Sequence, residues 1–140
     1  MGWGIFAPQF AFLQSIANLW IARLSRNTMM LKDKVAIVTG AGTGIGRAIS
    51  LAYAQEGASM VLVGRTEETL AKVADEVRTL GGEVLTVRAN VSEPADAQHM
   101  VQEAHERFGR INILVNNAGV FIYKSFLKLS LADWEETIDT

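Results

Sequence analysis

Thr39-Gly40-Ala41-Gly42-Thr43-Gly44-Ile45-Gly46 decides the fold of this chain. Before it, Val35 to Thr39 is a near-continuous apolar run of the kind that forms a parallel strand covered on both faces. After it, residues 45–56 read as a helix, with Ile45, Ala48, Ile49, Ala52 and Tyr53 expected on its inward face and Gly57 as its stop. A strand feeding a helix through such a turn leaves unpaired backbone N–H groups at the helix start. With the positive end of the helix dipole, they make a site for a pyrophosphate. Four alternate glycines exceed what a connecting turn requires. One glycine permits the turn, one clears the approach of a ligand, and one lets helix and strand come close. The spacing is not G-x-G-x-x-G, because Ile45 holds the place of the third glycine, and no Lys-Ser/Thr pair follows as in ATPase loops.

Downstream, short β-branched runs alternate with longer helical stretches, the pattern of βαβ units and a parallel sheet. Met60 to Val63 reads as the second strand. Thr66 is placed to cap a helix that opens with Glu67 and Glu68, turns Leu70, Val73, Ala74 and Val77 inward and ends at Gly81-Gly82. Val84 to Ala89 is the third strand. Ser92 with Pro94 opens the next helix, with an inward stripe of Ala97, Val101, Ala104 and Phe108 that stops at Gly109. Ile111 to Val115 is the fourth strand, and Ser130 with Asp133 predicts a capping box for a last helix running to Thr140. The predicted spatial order is 3-2-1-4, with the fourth strand at an open apolar edge.

Composition narrows the function. The chain has 140 residues, 49% of them hydrophobic and 20% charged, which suits one folded domain. A net charge of -2 supplies no field for phosphate backbones, so nucleic acid is not an expected partner. The absence of cysteine removes disulfides and thiolate chemistry and accords with a cytoplasmic setting. His99 and His105 stand six apart on a helix and face different ways, so no metal is expected. Residues 1–28 differ from the rest: Gly2 to Ala22 carry no charge and crowd together Trp3, Phe6, Phe10, Phe12 and Trp20. An uncharged start and the interruptions at Gln9, Gln14, Ser15 and Asn18 weigh against a secretory signal or a membrane span. Two readings stand for this extension: a non-native leader ahead of Met29-Met30, or a membrane-surface helix over Phe10 to Leu24. Membrane contact is thus not the main expectation, and residues 1–28 are the part that would make it.

The glycine turn, read as Thr39-Gly40-x-x-x-Gly44-x-Gly46, is followed by Asn116-Asn117-Ala118-Gly119. With that pair of motifs, the chain from about Leu31 to Thr140 resembles the short-chain dehydrogenase/reductase family. The resemblance implies an α/β fold, a three-layer Rossmann-type doubly wound parallel sheet, truncated here after about four strands. Residues 29–140 are then a partial NAD(P)-binding domain. It implies that Gly40, Thr43, Gly44, Ile45 and Gly46 embrace the cofactor pyrophosphate. Asn117, Ala118 and Gly119 would end the fourth strand, support the sheet centre and line the adenosine side. Asn90-Val91 falls where relatives carry Asp-Val near the adenine amino group, and an asparagine can still accept that hydrogen bond. Asn112 replaces another aspartate, a change that touches turn chemistry more than cofactor contact. Asn116 either meets a ligand at the strand end or satisfies loop backbone groups.

An NAD-preferring site would place an acid at the end of the second strand to hold the ribose 2′-hydroxyl. Here Gly64 occupies that place and Arg65 follows, with a fixed charge for a 2′-phosphate and a plane for stacking on adenine. NADP is therefore the expected cofactor, with NAD as the alternative and local pairing of Arg65 with Glu67 or Glu68 as the structural reading. Thr43 withholds the basic residue that many NADP-using relatives have in the glycine turn. Arg47 either compensates for it or is a surface residue.

The family's catalytic residues, an Asn, a Ser and a Tyr-x-x-x-Lys pair, have no counterpart in this sequence. Gly57 lies four residues after Tyr53 and Leu127 four after Tyr123, so both tyrosines read as packing or loop residues and no catalytic residue is assigned. The expectation is the cofactor-binding part of a carbonyl reductase or alcohol dehydrogenase, similar to 3-oxoacyl-carrier-protein reductases, inactive as a fragment and prone to association, its full-length relative a homo-oligomer. The alternatives are a non-catalytic dinucleotide-binding or regulatory module and a membrane-associated interaction protein.

Overall fold

Alternation decides which way the first strand faces. In β1 (Val35–Thr39) every residue is buried, with Val35 and Ile37 on one side of the sheet and Ala36 and Val38 on the other. The computed structural model of the protein describes residues 29–120 and 122–138. The readings made of residues 1–28 and of the chain beyond Ile138 lie outside them. After β1 come α1 (Gly44–Gln55), β2 (Ser59–Gly64), α2 (Glu67–Thr79), β3 (Val84–Arg88), α3 (Pro94–Phe108) and β4 (Ile113–Val115). A 3-10 turn at Phe126–Lys128 then precedes α4 (Leu131–Ile138).

The four strands are parallel in the order β3-β2-β1-β4, as the alternating pattern predicts. The chain winds from β1 outward to β3 and then returns to the other side of β1. The order therefore reverses between β1 and β4, where open α/β sheets place their ligands. On one face Ala36, Val38, Met60 and Leu62 pack with Ala54 of α1 and Leu70, Val73, Ala74 and Val77 of α2. On the other face Val35, Ile37, Val61, Val63 and Val87 pack with Met100 and Ala104 of α3. Three layers follow. All four residues expected on the inner face of α2 are buried there.

Two helices depart from the expected faces. α1 buries Gly46, Ser50 and Ala54, with Ile49 and Tyr53 half-buried beside them, while Ile45, Ala48 and Ala52 are exposed. The small residues let α1 lie close to the sheet, and the Ser50 hydroxyl is satisfied by donating to the Gly46 carbonyl at 2.8 Å. In α3 Ala104 is buried and Phe108 packs against the core as expected, but Met100 is buried where Val101 was expected, and Val101 is exposed. The capping expectations divide in the same way. Thr66 stands at the N-cap of α2 and Glu93, rather than Ser92, at that of α3, but neither side chain caps. Ser130 and Asp133 form the predicted box: the Ser130 N–H donates to the Asp133 carboxylate at 2.9 Å and the Asp133 N–H to the Ser130 hydroxyl at 3.1 Å. β4 is short and its Leu114 is exposed, so the described sheet ends on an apolar edge.

Candidate functional site

The glycine turn delivers the chain from the carboxyl end of β1 into α1. The first intrahelical bond of α1 runs from the Arg47 N–H to the Thr43 carbonyl, and Thr43 makes no side-chain cap. Among the described residues, nothing accepts a hydrogen bond from the N–H groups of Gly44, Ile45 and Gly46. Three donors at the positive end of a helix are thus held ready for an anion. Gly44 has φ +54°, and a methyl group there would meet no atom within 4 Å, so its missing side chain opens space in front of those donors. Gly46 serves differently. A methyl group there would collide with the Gly40 carbonyl and stand 2.6 Å from Asn117 Nδ2. Gly46 therefore sets how near α1 comes to β1 and β4.

A buried hydroxyl joins the turn to the fourth strand. Thr39 Oγ1 donates to the Val115 carbonyl at 3.2 Å and accepts from the N–H groups of Asn117 and Ala118, each at 3.0 Å. In return Asn117 Nδ2 donates to the Thr39 carbonyl at 3.0 Å and reaches the Gly40 carbonyl at 3.4 Å. The Asn117 side chain thereby anchors the end of β4 to the glycine turn. Asn116 is exposed and makes none of these bonds. Asn112 acts at the opposite end of the strands, where its side chain accepts from the Val35 N–H at 2.9 Å and its N–H donates to the Val35 carbonyl at 2.9 Å. Asn112 thereby ties the start of β4 to the start of β1, away from the hollow.

These elements enclose a hollow of about 370 Å³ over the carboxyl ends of the strands. Gly40, Thr43, Gly44, Ile45, Arg65, Asn90, Val91, Asn117, Ala118 and Gly119 all line it. Of the residues assigned to the cofactor from sequence Gly46 does not line it, nor do Asn116 and Arg47, for which a contact was weighed. Gly64, Ala89 and Val120 also form its wall. Each adjoins a residue already singled out, so strand-end position was the signal that could have found them. Thr39 was quoted with the motif, but the part its hydroxyl plays in joining strands was not anticipated.

Arg65 is the one ionised side chain on that wall, which carries no carboxylate. It forms no ion pair among the described residues, and Glu68 is instead held by Lys72 at 2.7 Å. The structural reading of Arg65 as a partner of its neighbouring carboxylates is therefore not realised. Arg47 is committed elsewhere: its guanidinium grips the Glu76 carboxylate of α2 through Nε at 3.0 Å and through Nη2. These bonds hold the Glu76 carboxyl below its ordinary value and raise that of Arg47. Arg47 is thus a strut between α1 and α2. The Asn90 N–H donates to Asp96 at 2.8 Å, which fixes the loop leaving β3 over the first turn of α3.

Beyond β4, Lys124 clamps Asp133 at 2.6 Å, and hydrogen bonds from Lys124 and Ser130 hold the Asp133 carboxyl down to about 2. Tyr123 lies exposed on this loop, and Tyr53 is half-buried against the core. Among the described residues there is no group of three His, Cys, Asp or Glu suited to a metal. No helix among them is long and apolar enough to cross a membrane.

The chain is similar to known oxidoreductases along most of its length. It is 40% identical over 136 residues to 11-beta-hydroxysteroid dehydrogenase A of Sesamum indicum, spanning 96% of this chain and 38% of that protein. That span takes in most of residues 1–28. Cyclohexanol dehydrogenase of an Acinetobacter strain is 40% identical over 108 residues, 76% of this chain and 43% of that protein. Among solved structures, a short-chain type dehydrogenase/reductase from Mycobacterium marinum superposes with a TM-score of 0.77 at 34% identity, over 81% of this chain and 46% of that one. The chain thus spans less than half the length of each of these relatives. The model of the short chain dehydrogenase family matches residues 34–140. The chain belongs to the short chain dehydrogenase family.

Proposed function

We propose that residues 29–140 form the NADP(H)-binding part of a short-chain oxidoreductase that interconverts alcohols and carbonyls, with residues 1–28 an extension outside that unit. The observation that carries this reading is the trio of unpartnered N–H groups at Gly44, Ile45 and Gly46, opening on a hollow whose one charged side chain is Arg65. The pyrophosphate lies against those donors, with Gly40, Thr43 and Gly44 leaving room for it. Asn117, Ala118 and Gly119 flank the adenosine side, and Asn90 and Val91 border the adenine. The cofactor, when bound, supplies hydride transfer; the residues of this chain bind and orient it.

NADP is preferred to NAD because Arg65 brings a fixed charge and the end of β2 carries glycine rather than an acid to hold a ribose 2′-hydroxyl. The substrate class follows from two relatives whose names denote hydroxyl-bearing compounds, a hydroxysteroid and cyclohexanol. No acid-base residue for that chemistry is assigned in this chain. Calorimetric titration of the protein with NADPH and with NADH, each repeated with Arg65→Ala, tests the reading. Tighter binding of NADPH that depends on Arg65 supports it. Equal binding of both cofactors, indifferent to Arg65, contradicts the NADP assignment, and no binding of either contradicts the function.

A further inference from the structure

Beside the main hollow lies a second one of about 350 Å³, bordered by Arg65, Arg88, Ala89, Asn90 and Asp96. The two share Arg65, Ala89 and Asn90, so they adjoin at the ends of β2 and β3. Strand register places the arginines together. Gly64 is paired with Arg88 and its carbonyl accepts from the Ala89 N–H at 3.0 Å, so Arg65 and Arg88 leave neighbouring strands at almost the same level. Both are exposed, and neither forms an ion pair with any described residue. Asp96 is the third ionised group on the wall, and it accepts a hydrogen bond from the Asn90 N–H. With two guanidiniums and one carboxylate on its wall the hollow carries a net positive charge, which favours an anion held on its arginine side.

We propose that Arg88 is a second specificity-determining residue, forming with Arg65 a two-arginine clamp for a phosphomonoester on the adenosine ribose. This deepens the NADP reading and rests on it. The planar guanidinium forks suit the oxygens of a phosphate dianion, and their arrival from two strands fixes its position as a single arginine would not.

Adenosine 2′,5′-bisphosphate and adenosine 5′-monophosphate, titrated against the full chain and its Arg65→Gln and Arg88→Gln variants, separate the two ideas. Arg88→Gln is expected to weaken the bisphosphate about tenfold, as loss of one charge-assisted contact should, and the monophosphate less than twofold. The thermal midpoint should not move, because Arg88 holds no other part of the fold. If Arg65→Gln removes the bisphosphate preference and Arg88→Gln leaves it intact, Arg88 has no such role while the NADP reading stands. Equal weakening of both probes by Arg88→Gln also overturns the clamp. If the unaltered chain binds both probes alike, the NADP reading fails and the clamp fails with it.

Discussion

Replacing Thr39 by valine removes one oxygen and leaves the shape of the side chain nearly unchanged. Thr39 is 2% exposed, so water has little access to the space its hydroxyl fills. The Ala118 N–H loses its acceptor outright, whereas the Asn117 N–H keeps the Val115 carbonyl at 3.1 Å. One orphaned part-buried donor and one weakened bond cost about 2 kcal/mol, within the usual 1–3 for a donor left unsatisfied. With a urea slope of about 2 kcal/mol per M, the midpoint should fall by roughly 1 M at unchanged slope. Thr39→Ser keeps the oxygen and should recover most of the loss. Urea unfolding followed by far-ultraviolet circular dichroism measures both. Nucleotide titration should also show weaker binding for the valine variant, because Asn117 to Gly119 would no longer be tied to the glycine turn. A valine variant within about 0.5 kcal/mol of the parent, the scatter of ordinary surface changes, would refute the assignment of Thr39 as the junction.

Gly46→Ala should destabilise the chain by about 1–3 kcal/mol, as overpacking does, because the new methyl meets backbone rather than a yielding side chain. Gly44→Ala, which meets no neighbour, should cost only about 1 kcal/mol of backbone strain, and parallel urea titrations rank the two. Arg47→Ala should leave the NADPH to NADH affinity ratio unchanged, since that guanidinium already serves Glu76; a collapsed ratio in calorimetry would show otherwise. The folded-state pKa of Asp133 lies below its unfolded value, so its contribution is complete above the ordinary carboxylate range and disappears as pH falls through about 2. Lys124→Met should move that titration upward toward the ordinary value, as followed by carboxyl carbon chemical shifts.

The fold was legible wherever local pattern and burial coincide. β1 and α2 are such places: a buried parallel strand has no polar alternation to misread, and α2 has one apolar stripe with acids at its start and glycines at its end. The face of α1 was legible only in part: Ile49 and Tyr53 pack against the core as expected, but Ile45, Ala48 and Ala52 are exposed while Gly46, Ser50 and Ala54 face the sheet. Close approach of helix to strand selects small side chains, and hydrophobicity patterns give these little weight. In α3, Met100 and Val101 are neighbours at the margin of one stripe, and a helical period leaves one residue of latitude. At the site, the glycine turn and the strand-four motif announced the wall of the hollow. The bonds of Thr39 to residues about eighty positions away did not, since nothing local to Thr39 says which strand end will meet it. Arg88 stayed unremarked for a similar reason: its proximity to Arg65 comes from strand register.

The central claim is that the bare amide groups at the start of α1 hold the diphosphate of a dinucleotide. Titrating the isotope-labelled protein with NADPH while following backbone amide resonances tests it directly. The amides of Gly44, Ile45 and Gly46 should shift furthest, together with those of Asn117 to Gly119, and the α2 amides near Glu76 should stay in place. Saturable shifts confined to other parts of the chain, or none at all, would contradict it.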